Sequence, residues 1–161
     1  MGVKELWMRP LISVKESDRL LDAYLLMKQN NIRHLPVYDD SGEVTGILSD
    51  RDILRATTSS ISLEKGFIFE NLVIDRNIFV NDYMTTPVMS LPADIPEKII
   101  AKKMIEYKIS SFLLTEKNDV VGIVTSEDLL KCLVEVLEER EGEEKIYEQQ
   151  KRFNQIQVED L

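Results

Sequence analysis

One seven-residue unit occurs twice and restricts the architecture more than any other feature of the chain: Gly46-Ile47-Leu48-Ser49-Asp50-Arg51-Asp52, and again Gly122-Ile123-Val124-Thr125-Ser126-Glu127-Asp128. In each copy a glycine precedes a short apolar run of strand type. A hydroxyl residue follows, an aspartate lies three positions on, and apolar residues then recur at helical spacing. The pattern predicts a strand running straight into a helix. Ser49 and Thr125 fall at the N-cap, and Asp52 and Asp128 at the third helical position. The free N–H groups and positive dipole end of each helix then face whatever lies beyond the strand, a corner that attracts anions. Ser-x-x-Asp is also close to the capping box, in which two side chains only satisfy the first turn's donors. Repetition of the whole unit, glycine included, is what favours a pair of sites over a pair of caps.

The duplication extends well beyond the corner. Met8 aligns with Met84, Val14 with Leu91, Met27 with Met104 and Ile32 with Ile109, a period of roughly 76 residues. That is too long for a common solenoid unit and fits a duplicated lobe. Within the first copy, Pro10 bars a helix and Leu11-Ile12 suit a short strand. Leu20, Leu21, Ala23, Tyr24 and Met27 recur at helical steps from Asp18 to about Asn30. His34 to Tyr38 reads as a strand in which Pro36 needs an edge or an unpaired position. Asp39-Asp40-Ser41-Gly42 is a hairpin turn, and Val44 to Leu48 the return strand. The order strand-helix-strand-strand-helix places the chain in the α/β (α+β) class, with one lobe in residues 1–56 and the other in 81–137.

Between the lobes, at 57–80, Thr57-Thr58-Ser59-Ser60 marks a break. Phe67, Ile68, Phe69, Leu72, Val73, Ile74, Ile78 and Phe79 are too apolar for a free tether and predict a short helix packed on the lobes or covering a partner. After Leu130, Leu133, Val134 and Leu137 the apolar stripe fades. Residues 135–161 carry nine acidic and four basic side chains. A solvated or frayed acidic tail over 138–161 is the expectation, with a docking element as the alternative that Tyr147, Phe153, Ile156 and Val158 keep open.

Charge and composition remove several classes of function. The formal net charge is −9, which argues against DNA, RNA or an anionic membrane as partner. No run approaches the roughly 18 apolar residues of a membrane span, Met1 to Leu6 lack a secretory h-region, and Leu6 does not suit a myristoylation signal. A cytoplasmic location is expected. One histidine and one cysteine give no nucleophile–base pattern, and no zinc, iron or calcium loop is present. Asp50 and Asp52 stand two apart on a helix and do not face each other. Cys132, within an apolar helical run, reads as a buried, inert thiol. Arg51, between the two corner positions, is expected to face solvent.

From Leu6 to Val136 the chain resembles a tandem CBS-domain pair, or Bateman module. The resemblance rests on Ile-Leu-Ser-Asp-Arg-Asp and Ile-Val-Thr-Ser-Glu-Asp, on Met8-Arg9-Pro10 and Met84-Thr85-Thr86-Pro87, and on Ile32-Arg33-His34-Leu35-Pro36-Val37. Ser62-Leu63-Glu64 ahead of an apolar segment further resembles the acetoin-utilisation B-type subgroup, here without the ACT domain often found there. The family resemblance implies two pseudo-twofold lobes packed through their sheets, with two clefts for adenosine-containing ligands: AMP, ADP or ATP, and less readily S-adenosylmethionine, with no cofactor required. It implies that Asp52 and Asp128 accept from ribose hydroxyls and that Ser49 and Thr125 contact phosphate. Adenine would lie along Pro10 to Ser13, including Ile12, and along Pro87, Val88 and Met89. Arg33 and His34 hold positions that often reach phosphate in the family. Their counterparts are Ser110 and Ser111, so the Arg33–His34 cleft is expected to take the more phosphorylated ligand. For His34 a satisfied strand imidazole is the alternative. A homodimer and a regulated partner protein are also implied. A non-binding dimerisation scaffold, or the regulatory part of a larger enzyme or transporter, are the competing functions.

Overall fold

Residues 11–60, 74–117 and 119–159 are described by the computed structural model. The expected repeat is present as two mixed three-stranded sheets of identical order. In the first lobe β1 (Val14–Lys15) leads to α1 (Leu20–Asn30), β2 (His34–Tyr38), β3 (Val44–Ser49) and α2 (Asp50–Ser60). A 3-10 turn at Val80–Asp82 precedes the second lobe: β4 (Ser90–Pro92), α3 (Glu97–Tyr107), β5 (Ser111–Glu116), β6 (Asp119–Thr125) and α4 (Ser126–Glu159). In each sheet the middle strand runs parallel to the first and antiparallel to the third.

Both α1 and α3 end in the same way. Asn31 and Lys108 adopt left-handed backbone, at φ 50° and 56°, and the next N–H turns back: Ile32 N donates to Met27 O and Ile109 N to Met104 O. These caps satisfy late carbonyls and set the entry into β2 and β5. At the hairpin Gly42 takes φ 88° and Asp39 Oδ1 accepts from Ser41 N, Ser41 Oγ and Glu43 N, the Asx chemistry expected of that turn.

Pro36 is fully buried in the middle strand rather than on an edge. The register explains why this is tolerated. Pro36 faces Ile47, whose N–H and C=O both point away from β2, to Thr85. The pair is therefore a non-hydrogen-bonded one, and the donor that proline lacks would have pointed toward β1. There the pairing begins only at Val37.

Leu20, Ala23 and Met27 of α1 pack with Leu35, Val37, Leu48, Ile53 and Ala56 in the first core, and Ile74 and Val80 join them. Residues 74–80 thus belong to this lobe, held by Leu20 N to Ile78 O and Val80 N to Asp18 O. The short helix expected around Phe67–Val73 lies outside the described residues. A second core gathers Leu91, Ile100, Met104, Phe112, Leu114 and Val124. Cys132 is half-buried against it rather than fully buried.

Two expectations at helix ends are corrected. The break at Thr57–Ser60 is the last part of α2: Thr57 is buried, and its hydroxyl donates to Leu54 O at 2.8 Å, so the polar group is satisfied without leaving the helix. The frayed acidic tail is instead a continuation of α4 to Glu159. Glu, Lys, Gln and Arg dominate that stretch and are strong helix formers, and pairs such as Glu141 and Lys145 stand at the favourable four-residue spacing.

Candidate functional site

Both strand-to-helix corners form as the sequence predicts, and the second is a full capping box, with Asp128 N donating to Thr125 Oγ1 at 3.3 Å. Asp52 Oδ2 accepts from Ser49 N at 2.7 Å and from Ser49 Oγ at 2.6 Å. Asp128 Oδ2 accepts from Thr125 N at 2.8 Å and Thr125 Oγ1 at 2.6 Å. The hydroxyl proton of each N-cap residue therefore points at its own aspartate, and contact with a phosphate requires that hydroxyl to rotate.

The two aspartates differ at the other oxygen. Arg55 Nη2 donates to Asp52 Oδ1 and also reaches Tyr83 O, and Asp52 is buried. No further hydrogen bond reaches Asp128 Oδ1 among the described residues, so it keeps both lone pairs for a donor. The first corner is also closed from outside. Ile47 exchanges two backbone hydrogen bonds with Thr85, and a Cβ on Gly46 would lie 2.7 Å from Met84 Sδ and 3.1 Å from Thr85 O. Glycine at 46 thus serves the close approach of residues 84–85.

A cleft of about 480 Å³ opens between the lobes. Leu11, Ile12 and the Asn30–His34 segment line it from the first lobe, with Thr125, Asp128 and Lys131 opposite. Asp50 N donates to Arg33 O and Ser126 N to Ser110 O, so each helix start is tied to the residue before its middle strand. The first turns of α2 and α4 both contribute to the lining, which directs two positive dipole ends at the cavity.

Of the residues singled out from sequence, Ile12, Arg33, His34, Thr125 and Asp128 are brought together here. Ser49, Asp52, Pro87 and Val88 line neither this cleft nor a second cavity beside the Asp39–Gly42 turn. Pro10 lies outside the described residues.

His34 is half-buried, with Nε2 3.2 Å from Ser110 Oγ across the lobe boundary. Burial pushes its pKa below the ordinary value and outweighs the opposing pull of Asp50, so the imidazole is held neutral. Arg33 Nη2 donates to Glu127 Oε2 at 2.9 Å, and Lys131 Nζ pairs with Glu127 Oε1 at 2.9 Å. The hydrogen bond from Lys131, then that from Arg33, lowers the Glu127 pKa and keeps it ionised.

Sequence reasoning missed several lining groups. Arg51 is exposed, as expected, but onto the cleft. Glu127 and Lys131 also went unnoticed, although their position in the turn after Thr125 was a usable signal. The carbonyl of Ile12 is a subtler case. Leu113 N donates to Met89 O, whereas Pro36, at the matching place in the first lobe, has no N–H to give to Ile12 O. Among the described residues that carbonyl has no donor, and Ile12 lines the cleft.

The CBS-domain model matches residues 3–59 and 80–135. The chain belongs to the CBS-domain family. The CBS domain pair of protein MJ0100, solved with 5′-methylthioadenosine and S-adenosyl-L-methionine, superposes with a TM-score of 0.66 at 28% identity, covering 83% of this chain and 99% of that one. AcuB of Vibrio cholerae, which carries a provisional acetoin-utilisation name, gives a TM-score of 0.70 at 28% identity over 88% and 97% of the two chains. By sequence, a CBS domain-containing protein of Dictyostelium discoideum is 30% identical over 84% of this chain and 93% of its own. An L-aspartate semialdehyde sulfurtransferase of Methanocaldococcus jannaschii is 29% identical over 79% of this chain, which spans only 22% of that enzyme's length. Some relatives of this CBS pair therefore carry enzyme names. Among the described residues no helix is long and apolar enough to cross a membrane, and no cluster of three metal-ligating side chains occurs.

Proposed function

We propose that this CBS pair is a non-catalytic, ligand-sensing module of the cytoplasm in which an adenine nucleotide, AMP, ADP or ATP, binds between the lobes and biases their arrangement for a partner protein to read. Convergence of Ile12, Arg33 and His34 with Thr125 and Asp128 around the 480 Å³ cleft carries this function. The volume lies within the roughly 300–1,000 Å³ of small-molecule sites. Adenine takes the Ile12 backbone, where the carbonyl accepts from the exocyclic amine. The ribose diol takes Asp128 Oδ1, and phosphate lies toward Arg33, Arg51, Lys131 and the two helix starts. The adenosyl ligands of the MJ0100 pair support this class of ligand. S-adenosylmethionine, named with that pair, is a further candidate, and no cofactor is required. The first corner, with Ser49 and Asp52 and with Pro87 and Val88, is the weaker site because Arg55 already holds Asp52.

Titration calorimetry with AMP, ADP, ATP and S-adenosylmethionine tests the proposal, with Arg33→Ala as the variant. At least one adenosyl ligand binds the wild-type chain, and Arg33→Ala weakens the phosphorylated ones. Flat titrations for all four would refute it. A second function is favoured by the exposed apolar face of α4: a homodimeric assembly module that needs no ligand. Unshifted melting with every ligand, together with a retained dimer, would select it.

A further inference from the structure

The cleft is lined by three cationic side chains, Arg33, Arg51 and Lys131, and three anionic ones, Asp50, Glu127 and Asp128. A single residue engages two of the three cations. Glu127 Oε2 holds Arg33 from the opposite lobe, and Glu127 Oε1 holds Lys131 one turn along its own helix. A ligand phosphate that reaches Arg33 or Lys131 competes with this carboxylate for their charge and, whether or not it displaces it, sits beside a negative charge. An uncharged or cationic 5′ substituent meets neither obstacle. The duplication makes the point sharper: the residue matching Glu127 in the first copy is Arg51, so the same helix position carries opposite charges in the two halves.

We propose that Glu127 is the charge selector of the cleft, a specificity-determining residue that competes with ligand phosphate for Arg33 and Lys131 and so disfavours each added phosphate. This selectivity presupposes the adenosyl site proposed above and narrows its ligand to adenosine derivatives with few negative charges. Both partners of the Arg33–Glu127 pair are about half exposed, with side-chain accessibilities of 59% and 50%. The pair is therefore weak enough for a ligand to exchange, and the contrast between ligands is screened by salt.

The test compares 5′-methylthioadenosine, AMP and ATP on wild type, Glu127→Gln, Arg33→Gln and the double variant, by calorimetry at low and at near-physiological salt. Glu127→Gln is expected to tighten AMP about fivefold and ATP by more, while 5′-methylthioadenosine changes less than about twofold. The gain for AMP shrinks in the Arg33→Gln background and at the higher salt. If the ligands bind wild type but Glu127→Gln changes all three alike, or none, the selector role is overturned and the adenosyl site stands. If no ligand binds any form, both fall together.

Discussion

Arg55 closes on Oδ1 of Asp52, while the corresponding oxygen of Asp128, a residue that lines the cleft, has no donor among the described residues. One residue type in one motif position therefore sits in two different environments. For Asp52 the carboxylate is structural: buried, capping α2 and pairing with an arginine that also ties down Tyr83 O. Asp52→Asn removes the charge from a buried acceptor paired with an exposed arginine and is expected to cost about 1–2 kcal/mol of stability, read by urea unfolding. Its effect on ligand affinity stays within about twofold, since it touches neither cleft nor lining. Asp128→Asn is the mirror image. It keeps an acceptor for Thr125 N and loses little stability, but it replaces the charged oxygen proposed to meet the ribose diol. Adenosyl-ligand affinity falls by about tenfold or more in calorimetry. Equal losses of affinity in the two variants would show that both corners hold ligand.

At the scale of elements, the two corners were legible because a strand-to-helix turn leaves local marks: a hydroxyl at the cap, an acid three residues on, and a change of period from two to 3.6. The repeat supplied the sheet order twice. What the sequence did not disclose was which elements cross between halves. Gly46 read as part of a ligand motif, yet it is small because Met84 and Thr85 lie against it, a contact set by residues almost forty positions away. Gly46→Ala tests this. Its Cβ must displace Met84 Sδ and press on a backbone oxygen, so stability falls by about 1–3 kcal/mol. Trimming Met84 to Ala in the same chain returns part of the loss, because the side-chain clash is relieved and only the backbone contact remains. A double-mutant cycle by chemical unfolding measures the coupling. The break expected at Thr57–Ser60 and the tail expected after Leu137 were misjudged for a related reason. Hydroxyl and charged residues were taken as loop and solvent signals, whereas one hydroxyl bonds its own helix and the charges are good helix formers.

On the scale of the whole molecule, α4 joins the cleft to a run of exposed apolar side chains. Its first turns supply Asp128 and Lys131, and the same 34-residue helix then presents Leu130, Leu133, Val134 and Leu137 at 61%, 50%, 52% and 45% exposure. Spacings of three and four residues place these four on one stripe. A helix of that length spans about 50 Å, so a stripe near its start can meet a second copy while the remainder projects outward. If the stripe is the homodimer face, Leu133→Glu with Leu137→Glu places two charges where apolar area is buried, and the dimer dissociates. Sedimentation equilibrium should then give a mass near the 18.6 kDa of one chain for the variant and about twice that for wild type. A wild-type chain that stays monomeric at about 100 μM, well above the roughly 1 μM dissociation constants of modest association, would place the stripe against a different partner. Since the cleft and the stripe share one continuous helix, ligand and dimer should also be linked. At a ligand concentration 100 times the dissociation constant, linkage contributes at most about 2.7 kcal/mol. With one cleft in each chain, an adenosyl ligand should therefore shift the dimer equilibrium of wild type by no more than about a hundredfold for each of the two protomers, and Asp128→Asn should reduce the shift while leaving the ligand-free dimer intact.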